Sequence, residues 1–176
     1  PEKEKGFVVN AGMRIGGTNI YRFAQKALTI YMRGGYGDDV ISYQLFKDQP
    51  ISNFTKIVLR NSGDDWPGTM IRDAMMRYLM VGQMDNIYQA YQPFVVYLNG
   101  EYWVIQNMRE KFDFQYFIEH KQLYPHKYDH LKYEQTSSGW IRVEESGDAV
   151  HFDTLDYFVR NYDIELAENY QFVKDN

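Results

Sequence analysis

The stretch Phe94-Val95-Val96-Tyr97-Leu98-Asn99-Gly100-Glu101-Tyr102-Trp103-Val104-Ile105-Gln106-Asn107-Met108 decides the fold. Two runs rich in β-branched and aromatic residues flank Asn99-Gly100. A type I′ turn needs positive φ at both central residues, which Asn and Gly adopt with little strain, so the stretch predicts an antiparallel hairpin. Toward the N-terminus, residues 57–60 read as a short strand, 26–32 as a second and 7–15 as a third with alternating apolar positions. Gly16-Gly17-Thr18-Asn19 and Arg33-Gly34-Gly35-Tyr36-Gly37-Asp38 separate them. Between 57–60 and the hairpin lies the clearest helix, residues 69–82. Ile71, Met75, Tyr78 and Leu79 recur there at helical spacing, and Gly82 is a natural stop. The preceding Asn61-Ser62-Gly63-Asp64-Asp65-Trp66-Pro67-Gly68 is dense in turn and cap residues, and its acids suit the helix dipole.

Beyond the hairpin the pattern changes. Residues 112–121 read as a helix, 129–134 and 140–145 as short strands with a turn at Ser146-Gly147-Asp148, and 151–161 and 164–174 as two helices. Strands with one inserted helix, followed by a helix-rich part, make an α+β fold with an antiparallel sheet. The expected division is a frayed tail at 1–6, a sheet-bearing part at 7–111 and a helical part at 112–176.

Composition bounds the function. The 176 residues carry 19 Lys plus Arg against 24 Asp plus Glu, a net charge of −5, which is the wrong mean field for non-specific nucleic-acid binding. Sixteen Tyr, eleven Phe and three Trp supply enough apolar area to exclude a disordered chain. With no Cys there are no disulfides, thiolate metal sites or Cys nucleophiles. No run reaches the roughly 18 apolar residues of a membrane span. No Gly-x-Ser-x-Gly or other serine-nucleophile context is present. Pro1 in place of an initiating Met reads as a piece excised from a longer chain, with no signal peptide in view.

Several segments, taken together and in order, resemble the CotH family, the spore-coat protein H group of atypical kinases. They are Gly12-Met13-Arg14-Ile15-Gly16-Gly17, Phe23-Ala24-Gln25-Lys26-Ala27-Leu28, Leu59-Arg60-Asn61-Ser62-Gly63-Asp64-Asp65-Trp66 with Met70-Ile71-Arg72-Asp73, and Tyr97-Leu98-Asn99-Gly100-Glu101-Tyr102-Trp103 running to Arg109-Glu110-Lys111. The resemblance spans residues 6–125, and its details are nearest to Bacteroides-type members. It implies a protein-kinase-like fold and phosphate transfer from ATP, with Mg²⁺, to Ser or Thr of an exported protein, and hence an exported or cell-surface location. Residues 7–111 then look like a kinase N-lobe and 112–176 like the start of a helical C-lobe. Kinase chemistry needs an Asp for the substrate hydroxyl and Asp or Asn ligands for the metal. The family's Asn/Asp-Trp-Pro-type segment for these is not evident before Asn176. Asp64-Asp65-Trp66-Pro67 is similar locally but precedes the first helix, where it reads as a cap. The expectation is therefore the N-terminal part of a catalytic domain, inactive alone and able to self-associate through the face where the remainder would dock.

By the same resemblance, Gly16 and Gly17 cradle phosphate, Lys26 pairs with it, and Arg22, Arg72, Asp73 and Glu110 complete the nucleotide-binding set. Residues 69–82 contain no Glu to partner Lys26. Asp73 is the expected partner, with Asp64 and Asp65 as alternatives. Each residue also has a plainer reading. Gly16-Gly17 fits a hairpin turn, Lys26 a solvated strand end, Arg72 a surface ion pair, and Arg109-Glu110-Lys111 a solvated turn at a strand end. His120, His126, His130 and His151, with Asp129, lack the spacing of a metal set, so no metal ligand is assigned. The alternative function is a non-catalytic cell-surface module, a pseudokinase or a glycan- or protein-binding domain. For a glycan platform the candidates are Tyr88, Tyr91, Tyr124, Tyr128 and Tyr133.

Overall fold

The computed structural model describes residues 6–17, 22–83, 87–125 and 127–176. In chain order its elements are β1 (Gly12–Gly16), β2 (Ala27–Tyr31), β3 (Ile41–Ser42), β4 (Asn53–Phe54), β5 (Lys56–Arg60), α1 (Arg72–Met80), β6 (Tyr91–Leu98), β7 (Glu101–Glu110), α2 (Phe114–Lys121), β8 (His130–Thr136), β9 (Gly139–Ser146), α3 (Val150–Asn161) and α4 (Ala167–Asp175). The fold is α+β. The chain divides into two compact units, Pro1–His120 and Lys121–Asn176.

In the first unit β1, β2, β5, β7 and β6 form, in that order, one antiparallel sheet. The β6–β7 turn has φ of 52° at Asn99 and 85° at Gly100, as a type I′ turn requires. Helix α1 follows β5, the third strand in spatial order. Cross-strand partners point to the same face, so the register sorts the side chains. Leu28, Leu59 and Met108 share one face with Ile30, Ile57 and Glu110. Thr29, Val58, Arg109 and Tyr91 share the other with Arg60 and Asn107.

The first face carries the core. Leu28, Met32, Ile41, Phe46, Phe54, Ile57, Leu59, Ala90 and Met108 are buried in one cluster, with Phe46 fully enclosed. The lid over this face is the segment from Ile41 to Phe54, held as a ribbon by the β3–β4 pairing. Neither β3 nor β4 stands out in the sequence, because each is two residues long. Burying a Phe side chain contributes about 1.5–3 kcal/mol, so this lid closes the core with strongly stabilising contacts.

Of the boundaries that differ from the sequence reading, three have a clear local reason. The first strand begins at Gly12, not residue 7. Residues before it run alongside the following loop, where Asn10 N–H donates to Asp38 Oδ2 (2.6 Å) and Phe7 packs on Tyr43 (4.8 Å). Helix α1 begins at Arg72 instead of 69, because Asp65 gathers Thr69 and Arg72 into a turn first. Its periodic apolar residues Ile71, Met75, Tyr78 and Leu79 lie outward and exposed, while Ala74 and Arg77 are the buried positions. Helix α2 groups with the sheet except for its last residue. Lys56 binds Asp113 (2.5 Å), and Tyr116 O–H donates to the Tyr88 carbonyl (2.9 Å).

In the second unit β8 and β9 form a hairpin. Arg142 on β9 holds Asp153 on α3 through two hydrogen bonds, 2.5 and 2.9 Å. Phe158 of α3 packs on Phe172 of α4 with ring centroids 4.1 Å apart. No helix among the described residues is long and apolar enough to cross a membrane.

Candidate functional site

The face of the sheet opposite the core is polar where the first turn of α1 meets it. Alternation along β5 puts Ile57 and Leu59 into the core and leaves Arg60 on this face. Arg109 and Asn107 reach the same face from β7. The first turn of α1 brings Asp73 to them. Asp73 Oδ2 lies 3.2 Å from Arg60 Nε and 3.0 Å from Arg109 Nη2. Two guanidinium groups thus share one carboxylate oxygen, leaving an excess of positive charge.

The two arginines differ in burial. Arg60's side chain is 46% exposed and Arg109's only 6%. The Arg109 guanidinium sits over the Tyr91 ring, 5.3 Å from its centroid. Burial pulls Arg109 below the ordinary guanidinium range, with Asp73 opposing, and burial raises the Tyr91 hydroxyl. The contact of Arg109 Nη2 with Asp73 is an ion pair without hydrogen-bond alignment, and Arg109 Nε is buried with no hydrogen-bond partner among the described residues.

A buried polar network fastens the segment before β2 to this region. Gln25 Nε2 donates to the Ile105 carbonyl (2.7 Å), and Trp66 Nε1 donates to Gln25 Oε1 (2.7 Å). Asn61 Nδ2 donates to the Gln25 carbonyl (2.7 Å), and Gln106 Nε2 to the Lys26 carbonyl (2.6 Å). Asn107 Nδ2 donates to Ser62 Oγ (3.0 Å), which donates to the Met70 carbonyl (2.9 Å). Segments far apart in sequence, 23–28, 59–66 and 105–109, therefore meet at the entry to α1. The amides of Gln25, Asn61 and Asn107, bonded this way, give a rigid frame, because each broken bond would strand a desolvated partner, while Gln106 Oε1 is buried with no hydrogen-bond partner among the described residues.

Asp65 sets the helix start. It is buried, and its carboxylate accepts from Thr69 Oγ1 (2.7 Å), Thr69 N–H (3.3 Å) and Arg72 N–H (3.0 Å). The Thr69 hydroxyl first, then the Arg72 amide, hold it below the usual aspartate range. The cap reading of Asp64-Asp65-Trp66-Pro67 thus rests on Asp65, which reaches forward to donors at the head of α1.

The residues expected to hold nucleotide fall in several places. Gly16 ends β1 opposite Ala27, on the polar face. A Cβ there would meet Thr29 Oγ1 at 2.8 Å, so the backbone approaches closely. Gly17 has φ of 103°, a conformation suited to glycine, and no atom of the described residues lies within 4 Å of a Cβ built there. Residues 18–21 lie outside the described residues. Arg22 makes an exposed pair with Asp64 (3.0 Å). Arg72 is 70% exposed and lies 3.5 Å from Asp65.

Lys26 corrects an expectation. Its Nζ donates to the Phe23 carbonyl at 2.5 Å, and none of Asp73, Asp64 or Asp65 is its partner. Those carboxylates are held by Arg60 and Arg109, by Arg22 and by Arg72. The reason is topological. Lys26 precedes the second strand of the sheet, whereas α1 follows the third, so Arg60 stands nearer the helix. Glu110 points into the core side. Its Oε2 accepts the Ala90 N–H (3.0 Å) and its Oε1 lies 2.5 Å from His120 Nε2, so both oxygens are engaged internally.

Arg60 and the amide network were missed as site residues. One signal was available for Arg60, a charged residue closing an apolar strand just before a helix whose first turn carries one carboxylate. Of the tyrosines proposed for a glycan platform, Tyr88 and Tyr91 each lie beneath a guanidinium group, of Arg77 (5.0 Å) and Arg109 (5.3 Å), while Tyr124 and Tyr133 are exposed. His120 is engaged by Glu110, and His151 Nε2 lies 2.8 Å from the Asn176 carbonyl. His126 lies outside the described residues.

The donor set fits an oxyanion better than a cation. Among the described residues, the two Nη groups of Arg60 make no hydrogen bond, and the nearby positive charge is only partly balanced. The three aspartates here are each engaged by arginine. No group of three or more His, Asp or Glu among the described residues is arranged to hold a metal ion. Among the described residues, this cluster thus offers cationic donors and no free set of carboxylates. A comparison with protein families finds one described as CotH kinase protein, whose model matches residues 13–174. No curated protein and no solved structure matches the chain.

Proposed function

The chain belongs to the CotH kinase family, and on that premise we propose that it supplies the nucleotide side of an ATP-dependent protein phosphotransferase. The observation that carries this reading is the Arg60–Asp73 pair, which joins the third strand of the sheet to the helix that follows it. Protein kinases place a phosphate-holding lysine on the strand before that helix and pair it with a helix carboxylate. Here an arginine and an aspartate occupy those places. The planar guanidinium presents several donors to phosphate, so the exchange keeps the charge and adds directionality.

ATP, when bound, brings the transferable phosphoryl group. The chain's own part is to bind and orient it. Gly16 and Gly17 form the turn over the phosphates, Arg60 offers its outer nitrogens, and the Gln25–Asn61–Asn107 network holds the roof in place. Phosphoryl transfer depends on positioning and charge stabilisation, so this set alone gives binding without appreciable rate. No step is assigned to a metal ion. On the family resemblance, the acceptor is a Ser or Thr hydroxyl of an exported protein.

Calorimetric titration with Mg·ATP tests this reading. The native chain binds, and Arg60→Ala binds at least tenfold more weakly, about 1.4 kcal/mol. Equal affinity in the two, or no binding by the native chain, contradicts it.

A further inference from the structure

Arg109 has no part in the reading above, yet it is the most deeply buried member of the cluster. Resting on that nucleotide-binding reading, we propose that Arg109 is a positioning residue, which holds Asp73 from β7 so that the outer nitrogens of Arg60 stay open for a phosphate group.

A single arginine facing a single carboxylate tends to close on it as a two-pronged fork. Such a fork would consume the donors that a phosphate needs. Arg60 does not close in this way. It approaches Asp73 through Nε at 3.2 Å, and the same oxygen lies 3.0 Å from Arg109 Nη2. The shared acceptor is divided between two cations, so neither captures it fully. Arg109 is poorly placed to touch a ligand itself, because its side chain is 6% exposed and rests on Tyr91. Its effect must pass through Asp73 to Arg60. The arrangement also ties the first turn of α1 to β7 independently of Arg60, so α1 keeps its position when Arg60 turns toward a ligand.

The test is a double-mutant cycle on the full chain, with Mg·ATP affinity as the readout and circular dichroism confirming that each variant is folded. Arg109→Met is expected to weaken Mg·ATP binding about tenfold, and the same change in an Arg60→Ala background is expected to have almost no further effect. Arg109→Lys keeps the charge and loses the planar guanidinium. It is expected to fall between the native chain and Arg109→Met, and it carries the cycle if the methionine variant does not fold. Unchanged Mg·ATP affinity in a folded Arg109 variant overturns the proposal, and so does a loss that adds in full to that of Arg60→Ala. Either result leaves nucleotide binding itself standing. Absence of Mg·ATP binding by the native chain would instead remove the nucleotide reading and this proposal together.

Discussion

The two faces of the five-stranded sheet are built from the same strands by alternation, and they do different work. One face is apolar, closed by the segment from Ile41 to Phe54 around a fully buried Phe46. The other gathers Arg60, Asn107, Arg109 and Asp73 where the first turn of α1 meets it. On the first face, burial of hydrocarbon stabilises the fold and exposes little chemistry. On the second, charge is concentrated at a cost in desolvation that a solely structural surface would avoid by using apolar residues. The division teaches that stability and binding in this unit should be largely separable by mutation, although the Arg77–Asp48 pair (2.5 Å) ties α1 to the segment over the core.

The largest expected effect lies on the apolar face. Phe46→Ala should destabilise the chain by about 3–5 kcal/mol, measured by chemical denaturation, with Mg·ATP affinity of the folded fraction unchanged. A matching loss of affinity would break the separation. Asp73→Ala comes next. It strands the buried Arg109 without its carboxylate and should cost about 2 kcal/mol, less than a fully buried pair because Asp73 is 40% exposed. Lys26→Ala should be smaller again. Its Nζ serves the Phe23 carbonyl, so Mg·ATP affinity should change by less than about threefold. A loss comparable to that of Arg60→Ala would return the phosphate role to Lys26.

The smallest effects concern pH, and the two sides carry opposite signs. Asp65, at the head of α1, has its carboxyl held low by the Thr69 hydroxyl and Arg72 amide. Its contribution is complete above the ordinary aspartate range and is lost as pH falls through the lowered value. Asp65→Asn should flatten the acid limb of a melting-temperature profile. Glu119 lines a small cavity with Phe54, Lys56, Glu110 and Tyr116 beside the core face, and burial pushes its carboxyl up. A raised carboxyl means that the ionised form is disfavoured in the fold, so stability declines as pH rises from the ordinary glutamate range through the raised value. Glu119→Gln should remove that decline and slightly raise the melting temperature at neutral pH. A lowered melting temperature there would contradict the assignment.

Much of the fold was legible in the sequence, for identifiable reasons. Asn99-Gly100 specifies its turn through backbone sterics alone, and the β6–β7 hairpin has that turn. Residues 57–60 and the late helices have periodicities that local rules read well. The β3–β4 ribbon was not legible, because two-residue strands owe their existence to the core they cover. The outward face of α1 was misleading, because Ile71, Met75, Tyr78 and Leu79 have helical spacing while the buried positions are Ala74 and a charged residue, Arg77. The site was legible as segments but not as pairings. The quoted motifs 23–28 and 59–66 do converge, through Gln25, Asn61 and Trp66. Which cation meets Asp73 depends on strand order in the sheet, and β5 sits between β2 and β7 for reasons of tertiary packing.

The most direct test of the central claim, that the α1 face and not the opposite face receives the nucleotide, is amide hydrogen–deuterium exchange of the chain with and without Mg·ATP. The account predicts added protection at Gly16 and Gly17, from Arg60 through Gly63, and in the first turn of α1, with no change between Ile41 and Phe54. Added protection confined to the Ile41–Phe54 segment, or none on the α1 face at saturating Mg·ATP, would contradict it.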